Sequence, residues 1–173
     1  MNRRLHAILC SLLFTVAAVP IMGAAPQRSN PPAAAPGAGF SFQDWQIKTD
    51  QIDYMYQSGE FNIPSHVTLV RPGSQIQADR ATGNQKTKQA TLTGHVVLHD
   101  YTGSLASMGG QGGSHDPATL TCDTLQIDGA SKTYTAIGNV RFMQGSSRAS
   151  ADRAVMNGLT HDLHLYGNVQ LKQ

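Results

Sequence analysis

The chain has 173 residues, of which 14% are charged, with 13 Lys and Arg against 11 Asp and Glu. Arg3 and Arg4 lie in an export-type leader, and without them 13 − 2 = 11 basic residues balance 11 acidic ones. That leaves no basic excess to recruit nucleic acid. Cys10 also lies in the leader, so Cys122 alone remains, no intrachain disulfide can form, and stability must come from a hydrophobic core.

From the amino terminus, Asn2-Arg3-Arg4 is a short basic stretch, Leu5 to Val19 is apolar, and Gly23-Ala24-Ala25 supplies small residues for a signal peptidase. Residues 1–25 are expected to be a signal peptide. The alternative is an uncleaved anchor, in which the apolar run extends to Ala25 to approach the roughly 20 residues of a spanning helix. Residues 26–39 (PQRSNPPAAAPGAG) form a Pro/Ala-rich tether with nothing to bury, expected to be disordered. Residues 40–173 remain as one domain, long enough for one sizeable core.

Within that domain a phrase recurs. It reads IQADR … TGHVVL from Ile76 to Leu98, LTCD … IGNVRF from Leu120 to Phe142, and ASADR … YGNVQL from Ala149 to Leu171. Each Asp (79, 123, 152) precedes its Gly (94, 138, 167) by 15 positions. A fainter copy runs from Asp50 to Ser65, with Ser in the Gly slot. The four Asp residues are 29, 44 and 29 positions apart, so the middle step is one repeat plus 15 inserted residues. A fixed period of this size marks a repeat architecture, here four hairpin repeats of about 29 residues.

After each Asp the apolar residues alternate. One face carries Phe61, Ile63, Ser65, Val67 and Leu69 in the first copy, and Ala90, Leu92, Gly94, Val96 and Leu98 in the second. It carries Tyr134, Ala136, Gly138, Val140 and Phe142 in the third, and Leu163, Leu165, Gly167, Val169 and Leu171 in the fourth. Intervening positions such as Thr91, Thr93, His95, Asn139, Arg141, His164, Asn168 and Gln170 are polar. Period two means strands with one buried face, and hence an all-β domain. Asp128-Gly129, Asn157-Gly158 and Gly83-Asn84 suggest tight hairpin turns of the type needing positive φ. Arg71-Pro72-Gly73 and Gln144-Gly145-Ser146 are expected to connect successive hairpins.

The strand Ala90 to His99 is long, and Gly stands at its inward centre, where a packing side chain is normal. One reading is that Gly94, Gly138 and Gly167 form a fold line, at which each strand kinks from one sheet into a facing one. The other is that they only relieve crowding inside a closed sandwich. The Gly-rich stretch about 101–117 reads as a mobile insert, either tolerated or a lip over a groove.

The candidate site is the inward apolar set: Phe61, Ile63, Val67, Leu69, Ile76, Leu92, Val96, Leu98, Tyr134, Val140, Phe142, Leu163, Leu165, Val169 and Leu171. Core packing and contact with an acyl chain are both open for these side chains. Cys122 holds the inward slot before Asp123 and reads as a small buried group. The Asp row is expected on the solvent side, or holding a corner through bonds to backbone. His161 and His164 are three apart and face opposite sides of a strand, whereas His95 and His99 share a face about 13 Å apart. No metal, cofactor, catalytic triad, carboxylate pair or phosphate loop is expected, and no enzyme.

The stretches IQADRATGNQKTKQATLTGHVVL (76–98), YTAIGNVRFMQGSSRASADRAVMNG (134–158) and LHLYGNVQLKQ (163–173) resemble the OstA-like family of lipopolysaccharide-transport proteins, of the LptA and LptC type. Residues 76–173 carry the resemblance well and 42–71 poorly. His95 stands where the family has Asn, Ser65 where it has Gly, and the Gly-rich insert has no counterpart. The resemblance implies an open, twisted, two-sheet β-jelly-roll, taco-like, that shields acyl chains of lipopolysaccharide or a similar amphipathic lipid in the periplasm. It also implies edge-strand pairing with other Lpt proteins or with itself. A membrane-anchored, LptC-like relay and a lipid-free, edge-assembling β-repeat protein are the alternatives.

Overall fold

The computed structural model describes residues 40–103 and 116–172; the leader, the tether and the greater part of the Gly-rich insert lie outside the described residues. The described regular structure is all β. Its strands are β1 (Phe40–Phe42), β2 (Trp45–Thr49), β3 (Asp53–Met55), β4 (Glu60–Ile63), β5 (Val67–Arg71), β6 (Ser74–Ala78) and β7 (Arg80–Asn84). They continue as β8 (Gln89–Asp100), β9 (Ala118–Asp128), β10 (Thr133–Gln144), β11 (Ser147–Asn157), β12 (Leu163–Tyr166) and β13 (Gln170–Lys172).

All 13 strands belong to one antiparallel sheet, open at both ends. The long central strands β8 to β11 carry two sets of pairings. On one side of their midpoints the order is β1-β2-β5-β6-β8-β9-β10-β11-β13, called leaf I here. On the other it is β3-β4-β7-β8-β9-β10-β11-β12, leaf II. The sheet is thus folded across its strands into a β-jelly-roll with its apolar face inside. At the amino-terminal end the fold is a full break: β2/β3, β4/β5 and β6/β7 are separate strands, whereas β8 to β11 bend without ending.

The alternation explains the core. Inward side chains of both leaves join one cluster, with Ile63, Val67, Ile76, Leu92, Leu98, Leu120, Leu125 and Phe142 fully buried. A buried side chain of this size contributes about 1.5–3 kcal/mol. The polar groups Ser74, Asp100 and Gln144 are buried in the outermost row of leaf I.

The hairpin turns differ from the tight two-residue type expected from their Asp-Gly and Asn-Gly pairs. In each, the Asx side chain accepts two backbone N–H groups: Asn84 from Lys86 and Thr87, Asp128 from Ala130 and Ser131, Asn157 from Leu159 and Thr160. Positive φ falls on the residue four later, at Lys88 (59°), Lys132 (56°) and His161 (60°), and not on Gly129 or Gly158. These are four-residue Asx-capped turns. They also bind one another, since Gly129 N donates to Lys88 O (2.8 Å) and Gly158 N to Lys132 O (2.9 Å).

Candidate functional site: the fold line and the apolar interior

The fold line is a row of matched corners. Between Thr93/Thr124 and Val96/Cys122, the two residues Gly94 and His95 of β8 oppose the single residue Asp123 of β9. Between Ile137/Arg153 and Val140/Ala151, Gly138 and Asn139 of β10 oppose Asp152 of β11. Two residues facing one is a β-bulge, which bends its strand. Both bulged residues are left-handed: φ is +82° and +44° at Gly94 and His95, +78° and +48° at Gly138 and Asn139, and +70° and +44° at Gly167 and Asn168. Glycine takes such a conformation freely, and Asn and His tolerate it better than most residues.

Each corner is closed by an Asp. Asp79 Oδ2 lies 2.8 Å from His95 Nδ1, while Asp123 and Asp152 Oδ2 accept from Asn139 Nδ2 (2.8 Å) and Asn168 Nδ2 (2.9 Å). Asp79 N and Asp152 N also donate to Gly94 O (3.0 Å) and Gly167 O (2.9 Å). A Cβ on Gly94, Gly138 or Gly167 would stand 2.4 Å from the carboxylate of its Asp. The glycines are therefore required by conformation and close approach together. Asp79, Asp123 and Asp152 stand on the solvent side, one of the two expected placements, and hold the corners through side-chain partners in place of the backbone partners of the other. His95 does the work of the Asn found in the other two copies, and Asp79 raises its pKa above the ordinary 6.5, first through the hydrogen bond and then through its charge. The constant 16-residue step from Asp to His or Asn was the available signal.

The candidate site residues divide by depth. Phe61, Ile63, Val67, Leu69, Ile76, Leu92, Val96, Leu98, Tyr134, Val140 and Phe142 are buried in the common core. Leu163 and Leu165 are half-buried on β12, and Val169 and Leu171 are exposed at 45% and 67%. The interior is thus filled along most of its length and laid open at the β12–β13 end. Cys122 is buried in the same interior, which pushes its thiol up to about 12, with the neighbouring Asp123 charge adding to the rise. A thiol so protonated is a packing group, not a nucleophile. Among the described residues no three His, Cys, Asp or Glu side chains converge as a metal site.

The edge of the interior opposite the fold line is bridged at the amino-terminal end. β1 pairs with β2 of leaf I, yet Phe40 packs on Tyr54 and Phe61 of leaf II with ring centroids 5.3 and 5.6 Å apart. Phe42 meets Phe61 at 5.6 Å, and Gln85 Nε2 donates to Ser41 O at 2.7 Å. Farther along, Lys132 Nζ reaches Gln43 Oε1 (3.4 Å) and Asp44 Oδ1 (3.9 Å). Arg71 of leaf I lies 4.3 Å over the Trp45 ring and donates to Asp44 Oδ2 (3.3 Å) and to Tyr134 Oη of leaf II (3.2 Å). β1 is a strap across the mouth, which the sequence pattern did not reveal because it has no counterpart in the other repeats.

The geometry defines a class: an open antiparallel β-jelly-roll, folded along Asp–Gly corners, with an apolar interior exposed at one end. No family model matches the chain, and no curated protein matches it in sequence. Among solved structures it is similar to LptH, the LptA homologous periplasmic component of the conserved lipopolysaccharide transport device from Pseudomonas aeruginosa. That likeness has a TM-score of 0.63 and covers 75% of this chain and 94% of that one, at 9% sequence identity. At this identity the shared property is the fold.

Proposed function

We propose that this protein is a periplasmic carrier that shields the acyl chains of lipopolysaccharide, or of a related lipid, on its way toward the outer membrane. The carrying observation is the interior itself, an apolar two-leaf sleeve that opens to solvent at Leu163, Leu165, Val169 and Leu171. Exposing a chain of a dozen carbons to water costs on the order of 10 kcal/mol at about 0.8 kcal/mol per CH₂. The Leu and Val surface at that open end, continuous with the core, offsets that cost without specific chemistry. The likeness of the fold to a component of a lipopolysaccharide transport device supports the same reading, as does the export-type leader in the sequence.

A photoreactive residue at Leu165 should crosslink lipid during transfer, and one at Thr93, on the outer face, should not. Equal labelling at the two positions, or none at either, sinks the proposal. The edge-assembling alternative draws support from the open sheet ends, where Met55 and Tyr56 are exposed at the β3 edge and, among the described residues, β12 and β13 have no further strand beside them. Such an edge templates strand addition. Delipidated protein that forms fibres and takes up no lipid would favour it.

A further inference from the structure

The outer faces of the two leaves differ in charge. Strand pairing puts Lys48, Arg141, Arg148 and Lys172 outward on leaf I and, among the described residues, no Asp or Glu with them. The outward positions of leaf II include Asp53, Glu60 and Asp128, with Arg80 and Arg153 only at the fold line. Three of the four cations of leaf I are clustered. Met143, Arg148 and Lys172 form one row across β10, β11 and β13, and Arg141, Ser150 and Gln170 form the next. Neighbours in a row are about 5 Å apart and the rows about 7 Å apart. Arg141, Arg148 and Lys172 are exposed, and none has an ion-pair or hydrogen-bond partner among the described residues. Like charges gathered without counter-charges repel one another, and surfaces ordinarily intersperse the two signs.

The cluster stands beside the open end of the interior. β13 is a three-residue edge strand in which Gln170 and Lys172 face outward, while Leu171, opposite the buried Ala149, faces inward and is 67% exposed. At Lys172 only the thickness of the edge strand separates exposed apolar surface from the cations, with Arg148 one strand and Arg141 two strands farther in.

We propose that Arg141, Arg148 and Lys172, with Ser150 and Gln170 as neutral hydrogen-bonding neighbours, bind the phosphate of a lipid headgroup whose acyl chain lies against Leu165, Val169 and Leu171. This rests on the carrier reading and adds the headgroup chemistry to it. Guanidinium groups suit a phosphate because their planar fork donates two parallel hydrogen bonds to its oxygens. The tail supplies affinity, and the three charges select an anionic headgroup over a neutral one.

The test uses the full-length chain freed of lipid and titrated with a matched pair, monolauroyl glycerophosphate and monolauroylglycerol, below micelle formation. The wild type should prefer the phosphate-bearing member. Arg141→Gln, Arg148→Gln and Lys172→Gln should each weaken phosphate-lipid binding about fivefold at low salt. The triple variant should lose the preference yet keep its affinity for monolauroylglycerol. Lys48→Gln, on the same face but distant, should change nothing. Glycerol phosphate without a tail should bind far more weakly than its acylated form. Binding of both lipids with no preference, or a preference that survives the triple variant, overturns the headgroup site alone. Equal binding of glycerol phosphate makes the cluster a site for free anions and overturns it too. Binding of neither lipid overturns the carrier reading and the headgroup site together.

Discussion

The corner pair Asp79–His95 does by one chemistry what Asp123–Asn139 and Asp152–Asn168 do by another. An amide donates at any pH, whereas an imidazole adds a charge only when protonated. Because Asp79 raises the folded-state pKa of His95 above 6.5, its extra stabilisation is fully present below pH 6.5 and is lost as the pH rises through the folded value. The pair is exposed, so the effect is small. His95→Asn should remove it while keeping the bond. Thermal midpoints of wild type and variant on either side of pH 6.5 measure this, with the wild type losing ground to His95→Asn as the pH rises. A constant difference across that range would mean that the charge contributes nothing to the corner. The 15-residue Asp–Gly interval was legible in the sequence. The function of the following residue was not, because His95 and Asn139 also fit the alternation as ordinary outward polar positions.

At the scale of strands, the bend converts a half-amphipathic sheet into one with an enclosed core. Gly138 shows how narrow the requirement is. Its φ of +78° disfavours any side chain, and a Cβ would meet Asp123 Oδ2 at 2.4 Å. Left-handed backbone costs a non-glycine residue about 1–2 kcal/mol, and the displaced carboxylate also loses its bond to Asn139, worth about 1 kcal/mol. Gly138→Ala should therefore lower unfolding free energy by about 2–3 kcal/mol in urea titration. Combined with Asp123→Ala, the second change should cost less than it does alone, since the clash and the bond vanish together. Strict additivity would show that backbone conformation alone excludes the side chain. The strands themselves were legible because period two is set by burial on one face. Two details were hidden. The turns looked like tight hairpins because Asp-Gly and Asn-Gly carry that signal, but here the Asx oxygens cap two N–H groups each and shift positive φ to Lys132 and His161. The strand expected from Phe61 to Leu69 breaks at Pro64–His66, where the first copy lacks the Gly at which β8 and β10 bend unbroken, and the strand expected from Leu163 to Leu171 breaks at Gly167–Val169 although its Gly is present.

For the whole molecule, the filled interior sets the problem that the proposed carrier role has to solve. Packed cores leave no room for an acyl chain, so an incoming chain either extends the core at the β12–β13 end or parts the leaves. The strap β1 decides between these routes, because it ties leaf I to leaf II through Phe42 on Phe61 and Gln85 on Ser41. It is also imperfectly satisfied. Gln43, in its turn, has a φ of 60° and a buried Nε2 with no hydrogen-bond partner among the described residues. Both features raise the energy of the closed strap relative to an open one. Phe42→Ala should remove about 3–5 kcal/mol of stability, and Phe42→Leu, which keeps an apolar anchor, less. If chains enter between the leaves, both variants should take up a fluorescent acyl probe faster than wild type, in the order Ala before Leu, when followed by stopped flow at a temperature where all three are folded. Unchanged uptake rates in both would assign entry to the β12–β13 end, where Val169 and Leu171 already stand exposed, and would leave the strap a purely structural tie.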